Sequence, residues 1–281
     1  MNKDKLTYLC HKDGKENNIS FNDVMPYYFM ENVLKKISKS RYHDNFVYKG
    51  GYLLSCTLGI DTRTTKDIDV LIDCIDFDYE IIYKLFDEIL KPLPNEEIEF
   101  YITNINSIKS EDKYGGFRVV IMCKFYNIRQ KVSIDVATGD AVTPFPVKCK
   151  LKSIFDYEEI QIKSYNLETI LAEKIQTIFS KNIFNSRCKD FYDLYIIYKM
   201  KKQEIDLDTL KVACINTFAY RNTNLNYTDI ISLLEKIKIN KVFIKRWNDY
   251  SLKNQYTNNL SFDEVIGCNI KLIIMIMDNQ W

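Results

Sequence analysis

The segment FVYKGGYLLSCTLGIDTRTTKDIDVLI, residues 46–72, constrains this chain more than any other stretch. Its pattern predicts an apolar strand, a turn at Gly50-Gly51, a short helix, a polar approach, and a second strand opening on Asp67-Ile68-Asp69. Side chains along a strand alternate between faces, so Asp67 and Asp69 emerge together while Ile68 is buried behind them. Two neighbouring carboxylates repel, and a divalent cation between them relieves the repulsion. Glycine lets backbone N–H groups approach a phosphate closely, and the helix after the turn directs its positive end to the same place. Hydroxyls at Thr64 and Thr65 stand just before the acidic pair. A cation platform beside a phosphate cradle suits a nucleoside triphosphate. The competing reading is a solvated D-x-D pair at a strand end, which carries no chemistry.

Composition narrows the class. The 281 residues suffice for one large domain or two smaller ones, with 46% hydrophobic and 27% charged residues, ordinary for a soluble globular protein. A formal charge of +1 excludes a bulk electrostatic footprint for nucleic acid, so any basic surface is local. Charged residues interrupt every apolar run, which predicts no membrane span, and the polar N-terminus has no signal-peptide core. Eight cysteines without a C-x-x-C pair, beside two histidines, argue against structural zinc and a disulfide scaffold. Free thiols in a reducing cytoplasm are expected.

Along the chain, the first twenty or so residues read as a polar, loose lead-in. Residues 21–38 carry helical apolar spacing, with Asn22 as the candidate cap. Strands are expected at 46–48, 67–72, 97–105, 117–127 and 131–137, with Gly115-Gly116 turning between the third and fourth, and a helix at 78–90. From about residue 166 the pattern becomes helical, with runs near 167–181, 188–200, 207–219, 227–238, 241–252 and 261–278. The expected organisation is an α/β domain over 1–160 and a helical domain over 161–281.

Charges on apolar faces carry further information. In KVSIDVATGD, Asp135 shares a strand face with Ser133 and Ala137, opposite Val132, Ile134 and Val136. On a central strand it needs a partner, which a metal or a general-base role would supply; on an edge strand it would face water. Lys174 lies on the same helical face as Leu171 and Ile178, so it either snorkels or reaches an anion. Asp190 rides the edge of the stripe through Leu194 and Ile197, with Arg187 one turn before it. Several unpartnered buried charges, each costing a few kcal/mol, would strain a domain whose whole stability is about 5–15 kcal/mol. Cation and substrate would supply the partners.

These residues carry a resemblance. K-G-G-x-x-L, then R-x-T-x-D-I-D, I-D-V-x-x-G-D, L-A-E-K and R-x-K-D-x-Y-D-L, in that order over residues 46–200, resemble the AbiEii-type nucleotidyltransferase toxins. The resemblance implies an α/β fold, the minimal nucleotidyltransferase mixed sheet with flanking helices, followed by an all-helical C-terminal domain. It implies a cytoplasmic, metal-dependent enzyme of a toxin–antitoxin or abortive-infection system, with Mg2+ or Mn2+ as cofactor and an NTP as substrate. Its acceptor is expected to be the 3′ end of tRNA, sometimes a protein hydroxyl, and a cognate antitoxin is a further expected partner. Carried over by position, Asp67, Asp69 and Asp135 are the metal carboxylates, and these three with Lys174 and Asp190 form the catalytic set. Lys49, Gly50, Gly51, Thr65, Lys174 and Arg187 are the expected NTP contacts. Gly51 stands where many nucleotidyltransferases have serine, which leaves the phosphate contact to backbone amides alone.

The chemistry so implied is in-line displacement at the α-phosphorus of the NTP by an acceptor hydroxyl. Asp135 would complete a second metal site or orient that hydroxyl, and Asp190 would fix Lys174 or contact the nucleotide. Lysines 148, 150 and 152, and the run from Lys236 to Arg246, offer local basic surface for an RNA, or else simple solvated faces and edge protection. Two alternatives stand beside this reading: an antibiotic-modifying nucleotidyltransferase with an aminoglycoside-like acceptor, and a non-catalytic NTP-binding or partner-sequestering module.

Overall fold

The computed structural model describes residues 1–73, 77–108 and 115–278. Contacts divide the chain into two compact units, one of Met1–Gly139 with Val147–Ser164 and one of Asp140–Pro146 with Tyr165–Trp281.

The first unit opens with a helix where the polar composition predicted a loose lead-in. Helix α1 spans Lys3–Asn17, capped by the Asn2 side chain, which accepts from the Lys5 N–H. Leu6, Cys10 and Gly14 recur every fourth residue and are buried, a stripe too sparse to stand out among the surrounding charges. Helix α2, Phe21–Lys39, follows with Ser20 at its N-cap; Asn22, expected to cap, lies one residue inside. Nearly every α2 residue from Val24 to Ile37 is buried, which makes it a central packing element.

Seven strands form one mixed sheet in the order β3-β4-β5-β2-β1-β7-β6. They are β1 Phe46–Lys49, β2 Asp67–Ile72, β3 Glu99–Ile108, β4 Gly116–Phe125, β5 Ile128–Ala137, β6 Val147–Lys152 and β7 Glu159–Ser164. Helix α3, Gly50–Leu58, connects β1 to the approach of β2, and α4, Tyr79–Ile89, starts on an Asp78 side-chain cap. Gly116 begins β4 rather than sitting in a turn, and residues 109–114 lie outside the described ones. β5 runs parallel to β2 on one side and antiparallel to β4 on the other, so it is a central strand and the edge alternative for Asp135 is overturned. Ile68, Val132, Ile134 and Val136 are buried on its inward side, as alternation required. β6 is the outer strand, and Lys148, Lys150 and Lys152 are exposed along one face of it. Lysines on an edge strand discourage pairing with another chain.

The second unit is helical: α5 Leu167–Lys181, α6 Cys188–Lys201, α7 Leu207–Tyr220, α8 Tyr227–Lys238, α9 Lys241–Lys253 and α10 Phe262–Asp278. Their positions follow the helical runs in the sequence closely, because four of them start on an Asn or Asp side-chain cap, at Asn166, Asp206, Asn226 and Asn240. α5 packs on α6 and α7, and α10 on α6 and α8. The seven described cysteines are free thiols, Cys74 lying outside the described residues. No helix among the described residues is long and apolar enough to cross a membrane.

One buried acid in the first unit gives stability a pH dependence. Glu31 on α2 is 5% exposed, accepting from Ser153 Oγ at 2.6 Å and the Ile154 N–H at 3.1 Å. Burial outweighs those hydrogen bonds and pushes its carboxyl up to about 7, against 4.5 for the ordinary group. Between those values the folded chain holds a proton that the unfolded chain releases, so stability falls as pH rises through that window. The expected result is a Tm that drops between about pH 5 and about pH 7.5. Glu31→Gln, which keeps the shape and mimics the protonated form, should flatten that stretch of the profile. A variant with the unaltered slope would show that another group is responsible.

Candidate active site

Strand register sets the candidate site of the first unit. Lys49 on β1 stands beside Asp69 on β2, Asp69 beside Asp135 on β5, and Asp135 beside Arg118 on β4. Directly paired residues on neighbouring strands share a face, so two acids flanked by two cations cross the sheet in one row. Asp67, two residues before Asp69, projects on the same side, and both are partly exposed while Ile68 is buried.

The glycine turn abuts this row. Gly50 has φ of +66°, in the left-handed region, and a Cβ placed there would lie 2.0 Å from Asp69 Oδ2. Any side chain at 50 therefore collides with the carboxylate, a constraint that sequence spacing alone does not reveal. Gly51 is less restricted: its Cβ would meet Arg63 and Thr65 side-chain ends at 3.1 and 3.2 Å. Helix α3 begins at Gly50 with no side-chain cap bond from Lys49 and no acid in its first turn. Its leading N–H groups and positive dipole end thus adjoin the acidic pair, an arrangement suited to an anion accompanied by a cation.

Hydrogen bonds lock the approach to β2. Thr65 Oγ1 donates to Asp67 Oδ1 at 2.8 Å, and the Thr65 N–H donates to the Tyr27 hydroxyl at 2.9 Å. Tyr27 donates to Ser55 Oγ at 3.1 Å, and Ser55 donates to the Gly51 carbonyl at 2.9 Å. Buried Arg63 donates to the Thr64 carbonyl. Burial raises the Tyr27 phenol to about 12, so it stays a neutral donor near neutral pH. The chain from α2 through α3 to the threonine loop is therefore continuous. Thr65 orients Asp67.

Asp135 has a partner that sequence reasoning missed. Arg118 Nε donates to Asp135 Oδ1 and its Nη2 to Oδ2, each at 2.6 Å, while Nη2 lies 4.0 Å from Asp67 Oδ2. Both oxygens of Asp135 are engaged in a forked pair, the geometry for which guanidinium is suited. Hydrogen bonding to Asp135, ahead of the surrounding negative charge, holds Arg118 protonated at any accessible pH. Its signal is a cross-strand register, which becomes visible only once β4 and β5 are paired. Among the described residues no three His, Cys, Asp or Glu side chains gather as a ready metal cluster. The Asp67–Asp69 pair still fits a hard divalent cation such as Mg2+ or Mn2+, because its donors are carboxylate oxygens on one strand face.

The second unit contains its own charged cluster. Lys174 on α5 is 12% exposed in its side chain, with Nζ 2.6 Å from Asp193 Oδ2 and 3.4 Å from Asp190 Oδ1. Asp190 was expected; the shorter contact is to Asp193, fully buried one helical turn later on α6. Spacing of i, i+3 on an apolar face is the signal that could have found it. Arg187 Nε lies 3.2 Å from Asp190 Oδ2, an ion pair without hydrogen-bond alignment, since that buried oxygen has no hydrogen-bond donor. The L-A-E-K motif also supplies Glu173, 3.2 Å from Arg221, which in turn lies 3.5 Å from Asp140.

A mixed sheet with D-x-D on a central strand, a glycine turn opening a helix against it, and a helical second unit define a protein of the nucleotidyltransferase class. The sequence matches the family described as "Nucleotidyl transferase AbiEii toxin, Type IV TA system" over residues 32–267. The chain belongs to that family. Two solved structures share the fold: a candidate nucleotidyltransferase from H. pylori (TM-score 0.55, 16% identity, covering 92% of this chain and 96% of that one) and JHP933 from Helicobacter pylori (0.54, 16%, 92% and 92%). No curated protein sequence matches.

Proposed function

We propose that this chain moves a nucleotide from an NTP to the 3′-terminal hydroxyl of tRNA, and that the blocked tRNA ends arrest translation and growth. The observation that carries the reading is the contact of Gly50 with Asp69, which sets the phosphate cradle against the carboxylate platform. The amides of Gly50 and Gly51 receive the β- and γ-phosphates at the start of α3. Thr65 holds one Asp67 oxygen in place. Asp67 and Asp69 hold Mg2+ or Mn2+, which when bound stabilises negative charge as the leaving oxygen departs. The acceptor hydroxyl releases its proton to solvent as its oxygen bonds to the α-phosphorus, the bond to the bridging oxygen breaks with its electron pair, and pyrophosphate leaves. Within the second unit, Lys174 is oriented by Asp193 and Asp190, and Arg187 stands beside Asp190. A cognate antitoxin is the partner that family membership implies.

The test is incubation of the purified chain with each labelled NTP, a divalent cation and total RNA. Label at tRNA 3′ ends is expected, and Asp67→Asn should reduce it roughly 100-fold or more at unchanged Tm. Undiminished transfer by that variant removes the reading. Label on a small aminoglycoside-like acceptor would redirect it, and tight NTP binding without turnover would favour a non-catalytic module.

A further inference from the structure

We propose that Arg118 is a positioning residue that stands in for a second cation, so that the site binds one divalent ion, on Asp67 and Asp69, and Asp135 is withheld from metal. The inference rests on the carboxylate platform of the proposed function. Three acids on one sheet face would together call for more positive charge than a single divalent ion carries. Within the chain Lys49 stands beside Asp69 at one end of the row and Arg118 beside Asp135 at the other, and Arg118 is the one that engages both oxygens of an acid. Both Asp135 oxygens accept from its guanidinium at 2.6 Å, and the same Nη2 faces Asp67 Oδ2 at 4.0 Å. A metal ion bound by Asp135 would have to displace a forked, charge-assisted pair rather than a water molecule.

Strand register makes the substitution specific. Arg118 pairs with Asp135 across β4 and β5, and Asp135 pairs with Asp69 across β5 and β2. The Arg118 backbone thus lies on the far side of Asp135 from Asp69, and its guanidinium reaches back over Asp135 to face Asp67. It is anchored at a fixed place on the sheet, with the side chain 44% exposed and able to face a ligand. Arginine keeps its charge at every accessible pH, whereas a bound ion exchanges with solution. One exchangeable ion then shares the acidic row with side-chain cations at both its ends, Lys49 and Arg118.

The test is Mn2+ binding to the full chain, followed by the loss of free-ion resonance signal and by calorimetry. Wild type should bind one ion. Arg118→Met, which frees Asp135 without adding charge, should bind two. The double variant Arg118→Met with Asp135→Asn removes acid and base together and should return to one ion, with Kd within about 3-fold of wild type. Two ions in wild type, or one in Arg118→Met, overturns the inference and leaves the platform standing. No ion in wild type overturns the inference together with the platform. If Arg118→Met fails to fold, Arg118→Gln carries the same expectation, and the double variant decides independently: loss of its ion would make Asp135 a ligand and sink the proposal.

Discussion

Replacing Gly50 with alanine should reduce nucleotide transfer by roughly 100-fold or more, about the effect of an ångström-scale displacement of a catalytic group. Two causes act together. The left-handed φ of +66° costs an L-residue about 1–2 kcal/mol, and the new methyl carbon would lie 2.0 Å from Asp69 Oδ2. No carbon–oxygen contact tolerates that distance, so either the turn opens or the Asp69 carboxylate swings off the platform. Either movement separates the phosphate cradle from the cation donors. Gly51→Ala is the milder change, because its Cβ would meet the Arg63 and Thr65 side chains at 3.1 and 3.2 Å and its φ lies outside the left-handed region. Steady-state transfer, with calorimetric NTP binding alongside, measures both. Comparable activity of the two alanine variants would mean that Asp69 is not held where the geometry has it.

Asp193→Ala should destabilise the second unit by about 3–5 kcal/mol, the usual consequence of stranding a buried charge. Lys174 Nζ is 2.6 Å from Asp193 and only 3.4 Å from Asp190, and the Asp193 side chain is fully buried. Removing Asp193 takes away the short contact of the ammonium, and Asp190 at 3.4 Å pairs with it more weakly. Thermal unfolding should show a loss on the order of 10 °C. Adding Lys174→Met should recover part of that stability, since removing both charges costs less than removing one. A double variant as unstable as Asp193→Ala would show that packing, not charge, sets the loss.

Much of the fold was legible in local pattern. Period-two alternation located β1, β2 and the central strands, and amphipathic spacing located the C-terminal helices. α1 escaped because its stripe has one buried residue per turn, set among lysines and acids. β6 showed only as alternating lysines, and β7, six residues between β1 and β6, was not read as a strand. In the candidate site, Asp67, Asp69, Asp135, Lys174 and Asp190 were all visible as charges set on apolar periodicity. Arg118 and Asp193 were not singled out, since each matters through a residue on another strand or helix.

From its residues alone this chain determined which side chains share a face: the acids of β2, the inward lysine of α5, the glycines at a helix start. Those follow from backbone periodicity, which neighbouring residues set among themselves. Partnership was decided by the tertiary structure: that Asp135 meets a guanidinium, that Lys174 leans on Asp193, and that Gly50 has no room for a methyl group. Pairing depends on register and packing between segments far apart in the chain, and no local pattern encodes those distances.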